Sequence, residues 1–186
     1  VFVGNVGSIH SSHQFLNRTT IAGGAVTLTQ NLDVATSADF LRIVARTGNI
    51  TVNGVVNRGA LNGTDLADLT FAERNAWIRL EAAGDITVNR AVYAATRLSL
   101  TAGTAGTGSI IVNSTGANSG TLQTINPAAG PQRIELVAGE TSGNITFTDE
   151  VGATTLRAAG SSSSIVLRAN AGAITQTDGP LAAQTL

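Results

Sequence analysis

"GNITVNGVVN", residues 48–57, decides how this chain is read. A glycine and an asparagine open it. Ile50-Thr51-Val52-Asn53 then alternates apolar with polar, and a small apolar pair follows. Nearly the same phrase returns as "GDITVN" at 84–89 and "GNITFT" at 143–148. Aligned on the isoleucine, the copies are Gly48-Asn49-Ile50-Thr51-Val52, Gly84-Asp85-Ile86-Thr87-Val88, Gly108-Ser109-Ile110-Ile111-Val112, Gly143-Asn144-Ile145-Thr146-Phe147 and Gly172-Ala173-Ile174-Thr175-Gln176. Gly24-Ala25-Val26-Thr27-Leu28 makes a sixth, and Gly7-Ser8-Ile9 is read as the remnant of a seventh. The anchors at 26, 50, 86, 110, 145 and 174 stand 24, 36, 24, 35 and 29 residues apart.

Each of the five best copies is preceded by a second pattern, apolar-x-apolar-x-Ala. It reads Leu41, Ile43, Ala45; Ile78, Leu80, Ala82; Leu98, Leu100, Ala102; Ile134, Leu136, Ala138; and Ile165, Leu167, Ala169. A third short apolar piece often follows the copy: Val55 and Val56, Ala91 and Val92, Val151, Leu181. Alternation with period two means a strand with one buried face. A strand of about five residues cannot bury that face alone, so stacking repeats about 4.8 Å apart is the economical solution. Glycine at the corner is expected to supply a sharp turn with positive φ, and alanine suits a tight inner corner. The expected fold is all-β: a right-handed parallel β-helix, or β-solenoid, of about six to seven coils with loop insertions. A sandwich of antiparallel hairpins would show similar alternation. Against it, Asn53-Gly54 lies inside the repeat and not between copies, where a hairpin turn would stand.

Composition narrows the function classes. Only 12% of the 186 residues are charged, and the net charge is −1. All 11 basic residues are arginine. Nothing in that balance steers nucleic acid or an anionic membrane toward the chain, and no apolar run approaches the roughly 18 residues of a spanning helix. With no cysteine, disulfides and thiolate metal sites are excluded. Met is absent as well, and the chain opens on Val1 and closes on "PLAAQTL". It is therefore expected to be a single solenoid segment, 1–186, of a longer protein or a filament.

The phrases "LRIVARTGNITVNGVVN", "IRLEAAGDITVNRAV" and above all "IVLRANAGAITQTDGPLAAQTL" give the chain, from about residue 24 to 186, its likeness to a known family. It resembles the β-helical shaft of filamentous haemagglutinin-like exoproteins, secreted by two-partner or autotransporter-type routes. The resemblance implies export to the surface or surroundings of a Gram-negative bacterium. It also implies a role in adhesion, cell contact or biofilm, with glycans or a host or neighbouring cell surface as partner. The Asn-rich amino-terminal secretion domain of that family does not occur in these residues, nor does a carboxy-terminal toxin or membrane barrel.

Two groups of residues are candidate contact sites. Asn53, Asn89, Asn113, Thr148 and Thr177 hold one repeat position, and stacked amides can hydrogen-bond along a solenoid. Such a ladder is either plain scaffolding or a flat polar face for a glycan or another shaft. The longer insertion, near 57–77, carries Asp65, Asp68, Glu73, Arg74 and Trp77, the only tryptophan. Leu66, Leu69 and Phe71 give it roughly helical spacing, so it is either a flap over the solenoid wall or a contact loop. A second insertion, near 113–132, is polar and glycine-rich and is expected to be a loop. Thr-x-Thr pairs at 27 and 29, 146 and 148, and 175 and 177 suggest an ice-binding array, but Asn53, Asn89, Asn113 and Ile111 interrupt it.

Catalysis has little to stand on. A β-helical polysaccharide lyase or hydrolase needs acidic groups on neighbouring coils. Asp149-Glu150 is the one adjacent acidic pair, and its repeat equivalents Gly54, Arg90 and Ser114 are not acidic. His10 and His13 have no third ligand nearby in the sequence. No enzyme activity, cofactor or metal is expected. The leading reading is an adhesin-like shaft. A self-assembling filament or surface-layer subunit stacking head to tail is the second, because exposed strand edges template further strands.

Overall fold

The computed structural model of the chain describes residues 2–3, 18–29, 32, 40–56, 77–116, 118–124, 132–149, 156–158, 162–177 and 182–183. Within them it is all-β: seventeen strands and no helix. The apolar-x-apolar-x-Ala segments build a first sheet. Its strands, in spatial order, are β1 (Phe2–Val3), β2 (Arg18–Gly23), β4 (Phe40–Ala45), β6 (Trp77–Ala82), β9 (Arg97–Ala102), β12 (Arg133–Ala138) and β15 (Ser164–Ala169). The Gly-x-Ile-Thr-Val segments build a second: β3 (Val26–Leu28), β5 (Ile50–Val52), β7 (Ile86–Val88), β10 (Ile110–Ser114), β13 (Ile145–Asp149) and β16 (Ile174–Gln176). A third holds β8 (Val92–Ala94), β11 (Leu122–Thr124), β14 (Leu156–Ala158) and β17 (Ala182–Ala183). Single bridges from Leu32 to Val56 and from Val56 to Val92 lengthen it toward the amino end.

Every pairing among these strands is parallel, and each sheet stacks its strands in chain order. The antiparallel sandwich is therefore set aside. From β6 onward the chain visits the first, second and third sheets in turn and begins again, an arrangement compatible with a β-solenoid. Register keeps like on like. Ile50 pairs with Ile86, Ile86 with Ile110, and Ile110 with Ile145. Their side chains and those of Leu41, Ile43, Ile78, Leu80, Leu98, Leu100, Ile134 and Leu136 are fully buried in one continuous apolar core. Each such side chain contributes about 1.5–3 kcal/mol. Ala45, Ala82, Ala102 and Ala138, closing their strands, are buried too. At the far end the core opens: Ile165, Leu167 and Ala169 are only partly buried, and Ile174 is 47% exposed.

The structure departs from the sequence reading in four places. First, among the described glycines, positive φ in the corners belongs to Gly103, Gly106 and Gly139, which follow the strand-closing alanines, and not to the glycine that opens each repeat phrase; outside the corners Gly116 shares it. The repeat glycines Gly84, Gly108, Gly143 and Gly172 are needed because the repeats touch there. A Cβ on Gly108 would fall on the carbonyl oxygen of Gly84, one on Gly143 on that of Gly108, and one on Gly172 on that of Gly143. Second, the stretch 113–132 is not merely a loop. Asn113 and Ser114 finish β10, and β11 continues the third sheet with Leu122 and Thr124 fully buried. Third, a third-sheet strand that the sequence reading did not name, β14 at Leu156–Ala158, follows β13. Fourth, Trp77 is the first residue of β6 rather than part of the insertion. Val151, Leu181, Gly7-Ser8-Ile9 and the expected helical flap at 66–76 lie outside the described residues.

Candidate functional site

The candidate ladder lies where the chain leaves the second sheet. The Asn89 Nδ2 amide donates to Asn53 Oδ1 at 2.8 Å, and Asn113 Nδ2 donates to Asn89 Oδ1 at 3.2 Å. The Thr148 hydroxyl donates to Asn113 Oδ1 at 3.0 Å. Parallel register places Asn113 opposite Thr148, so the four side chains form one line of hydrogen bonds. Asn113 Oδ1 also accepts from the Thr115 hydroxyl at 2.9 Å, which fixes the carboxamide. Thr177 is the exception: its hydroxyl donates to the Phe147 carbonyl at 3.3 Å and stands off the line.

A second line runs through the turn before each second-sheet strand. Asn49 Oδ1 accepts the Asp85 backbone N–H at 2.8 Å, and Asp85 Oδ1 accepts that of Ser109 at 2.7 Å. Ser109 Oγ accepts the Asn144 N–H at 3.2 Å, and Asn144 Oδ1 accepts that of Ala173 at 2.8 Å. This explains the Asp/Asn/Ser pattern at that turn, because each side chain satisfies a donor in the next repeat. Asp85 belongs to this scaffold, with its carboxylate occupied. Between the two lines lie Thr27, Thr51, Thr87, Ile111, Thr146 and Thr175 in register. The outer side of the second sheet is thus uncharged and hydroxyl-rich, broken by Ile111.

The outer side of the first sheet is different, and sequence reasoning missed it. Phe40 pairs with Trp77 and Trp77 with Arg97. The Phe40 and Trp77 rings meet edge to face with centroids 5.0 Å apart. The Arg97 guanidinium sits 4.6 Å from the Trp77 ring centre, a cation–π contact. Glu81 is bound by both Arg42 and Arg79, with Arg42 Nε donating to Oε2 at 2.6 Å. Glu135 takes Arg133 at 3.0 Å and Arg97 at 3.5 Å. The Arg133 hydrogen bond holds the Glu135 carboxyl below its ordinary pKa; partial burial opposes this, and the charges of Arg133 and Arg97 reinforce it. The signal was present in "FLRIVA", "WIRLEA" and "RIELVA", whose outward positions carry these groups.

Of the candidate contact loop, Asp65, Asp68, Glu73 and Arg74 lie outside the described residues, as do His10, His13 and Glu150. Asp149 ends β13 opposite Ser114. Among the described residues no three His, Cys, Asp or Glu side chains gather as a metal site would require. No helix among them is long and apolar enough to cross a membrane. No protein-family model, no curated protein and no solved structure matches the chain.

Proposed function

We propose that the chain is a right-handed parallel β-helix of about six or seven coils, acting as an adhesin-like shaft on or outside a Gram-negative cell. Right-handedness follows from the near-universal hand of parallel crossover connections. One observation carries the functional reading: three sheets repeat in register with two side-chain ladders between them, so the fold provides length and stiffness and presents the same surface again and again. That is what a contact-bearing shaft needs, whether its partner is a glycan or another cell's surface. The insertions near 57–77 and 113–132 would then be lateral features on an otherwise regular rod. The test is the size of the native protein in its producing cells, by peptide mapping of surface extract and medium. A species several times 18.8 kDa, with these peptides in its middle, is expected. A native species near 18.8 kDa refutes the shaft.

A second reading, head-to-tail stacking of a filament subunit, is supported by the exposed Ile174 beside the partly buried Ile165 and Leu167. An open apolar strand edge is a template for another strand. Concentration-dependent fibres from the purified 186-residue chain, abolished by Ile174→Lys, would favour it.

A further inference from the structure

The charge of this molecule is distributed unevenly. Among the side chains that the structure describes, the outer side of the first sheet carries Arg42, Arg79, Arg97, Arg133 and Arg168 against Glu81 and Glu135, a net +3 in a chain whose overall charge is −1. The arginines stand on five successive strands from β4 to β15. At about 4.8 Å per step they span about 19 Å along the stack, in three rows across the strands: Arg97 with Arg133, Arg42 with Arg79, and Arg168. The side chains of Arg42, Arg79, Arg97 and Arg133 are 39–44% exposed. The Arg168 side chain makes no hydrogen bond or ion pair among the described residues, although its backbone pairs with β12. Three donors on this same face, the Trp77 indole N–H and the Nε–H groups of Arg79 and Arg97, are buried without an acceptor. Those buried atoms are out of reach of a surface ligand; the half-exposed guanidinium ends are the donors available to an oxyanion.

We propose that this track binds a linear carboxylated polysaccharide laid along the stacking axis of the sheet. Guanidinium forks match carboxylates in a bidentate manner, and the all-arginine composition suits that geometry. The arginines are interspersed with hydroxyls, at Thr101 and Ser164, and with the two glutamates. A polymer that alternates carboxylates with neutral hydroxyls fits such a pattern. A phosphate backbone carries a charge much denser than this net +3 can match, and a flat sheet offers nothing to enter a duplex groove. An acidic peptide finds no free backbone edge, since the strands of this face already pair on both sides from β2 to β12. The proposal does not depend on the shaft reading: an 18.8 kDa protein with this face would bind equally.

The test is titration of the full chain with polygalacturonate at low salt, against dextran, dextran sulfate and duplex DNA. Saturable binding of polygalacturonate is expected, weakening as salt screens the exposed charges. Arg168→Gln and Arg133→Gln are each expected to weaken it about twofold to fivefold. Arg157→Gln, the same loss of charge on β14 of the third sheet, should leave it unchanged. Circular dichroism and thermal melts identify any variant that has lost its fold, and Arg168, having no partner to lose, keeps the test open. Absence of binding, an equal effect of Arg157→Gln, or tighter binding of dextran sulfate or DNA overturns the assignment.

Discussion

Gly143→Ala is the sharpest probe of how the repeats are held together. A Cβ at 143 would stand 2.7 Å from the Gly139 nitrogen and 2.8 Å from the Ala138 carbonyl carbon, with the Gly108 carbonyl oxygen nearer still. All three are backbone atoms, so no side chain can swing aside. The Gly108 contact forces the repeats apart locally and the other two force open Gly143's own corner, which strains Gly143 N–H to Asn170 O at 3.0 Å and Ile110 N–H to Asn144 O at 2.8 Å. Overpacking of this kind costs about 1–3 kcal/mol, and two weakened backbone hydrogen bonds add about 0.5–1.5 kcal/mol each. The expected loss is about 3–5 kcal/mol, a shift of about 2 M in the urea midpoint for a slope near 2 kcal/mol/M. Two glycines give the scale. At Gly48 a Cβ meets the Ala25 Cβ at 3.0 Å, the Gly24 carbonyl oxygen at 3.3 Å and nothing nearer, so Gly48→Ala should cost clearly less. At Gly116, with φ +61° and nothing within 4 Å, Gly116→Ala should show only the backbone penalty of about 1–2 kcal/mol. Urea unfolding followed by circular dichroism ranks the three. If Gly143→Ala costs no more than Gly116→Ala, close approach is not the reason for the repeat glycine and the argument fails.

Asn89→Ala removes a donor to Asn53 and an acceptor for Asn113 at once. A loss of about 1–2 kcal/mol is expected, while Thr177→Ala, off the line, should cost less; equal values would show that the line contributes nothing. Phe147, fully buried and paired with Val112, should cost about 3–5 kcal/mol as Phe147→Ala by the same assay; a loss under about 1 kcal/mol would mean that the core relaxes around it. The Glu135 carboxyl has a folded-state pKa below its unfolded one. Its contribution is therefore complete above the ordinary glutamate value of about 4.3 and disappears as pH falls through the lower folded value. Wild type should exceed Glu135→Gln in melting temperature at pH 7, and the gap should narrow as the pH is lowered below the ordinary glutamate range. A gap that widens on acidification would contradict the Arg133 pairing.

The two longer strand classes were legible because their inward positions repeat. Leu41-x-Ile43-x-Ala45 carries three in-facing residues, enough for period two to stand out, and so does its echo around Leu98. The third sheet was harder. Leu122-Gln123-Thr124 offers two inward positions, and one is a buried threonine that reads as polar. Leu156-Arg157-Ala158 is equally brief, so Val151 drew the reading away from it. The arginine track was invisible for another reason. Outward residues are not constrained by a shared core, and Arg42, Arg79, Ser99 and Glu135 follow one another with no repeat to notice. Only the register shows that they face the same way. The Asn53 to Thr148 line could be placed from alignment alone, whereas the detachment of Thr177 could not: its hydroxyl donates to the Phe147 carbonyl and not to the Thr148 side chain.

Both side-chain lines on the second sheet point the same way. Asp85, Ser109, Asn144 and Ala173 each donate backward to the preceding repeat, and so do Asn89, Asn113 and Thr148. The two side-chain lines therefore have a direction, although the backbone bonds beside them, such as Ile50 N–H to Asp85 O, run the other way. Along each line donors face the amino end of the stack and acceptors its carboxy end. Two such stacks can therefore continue one another's side-chain lines only head to tail.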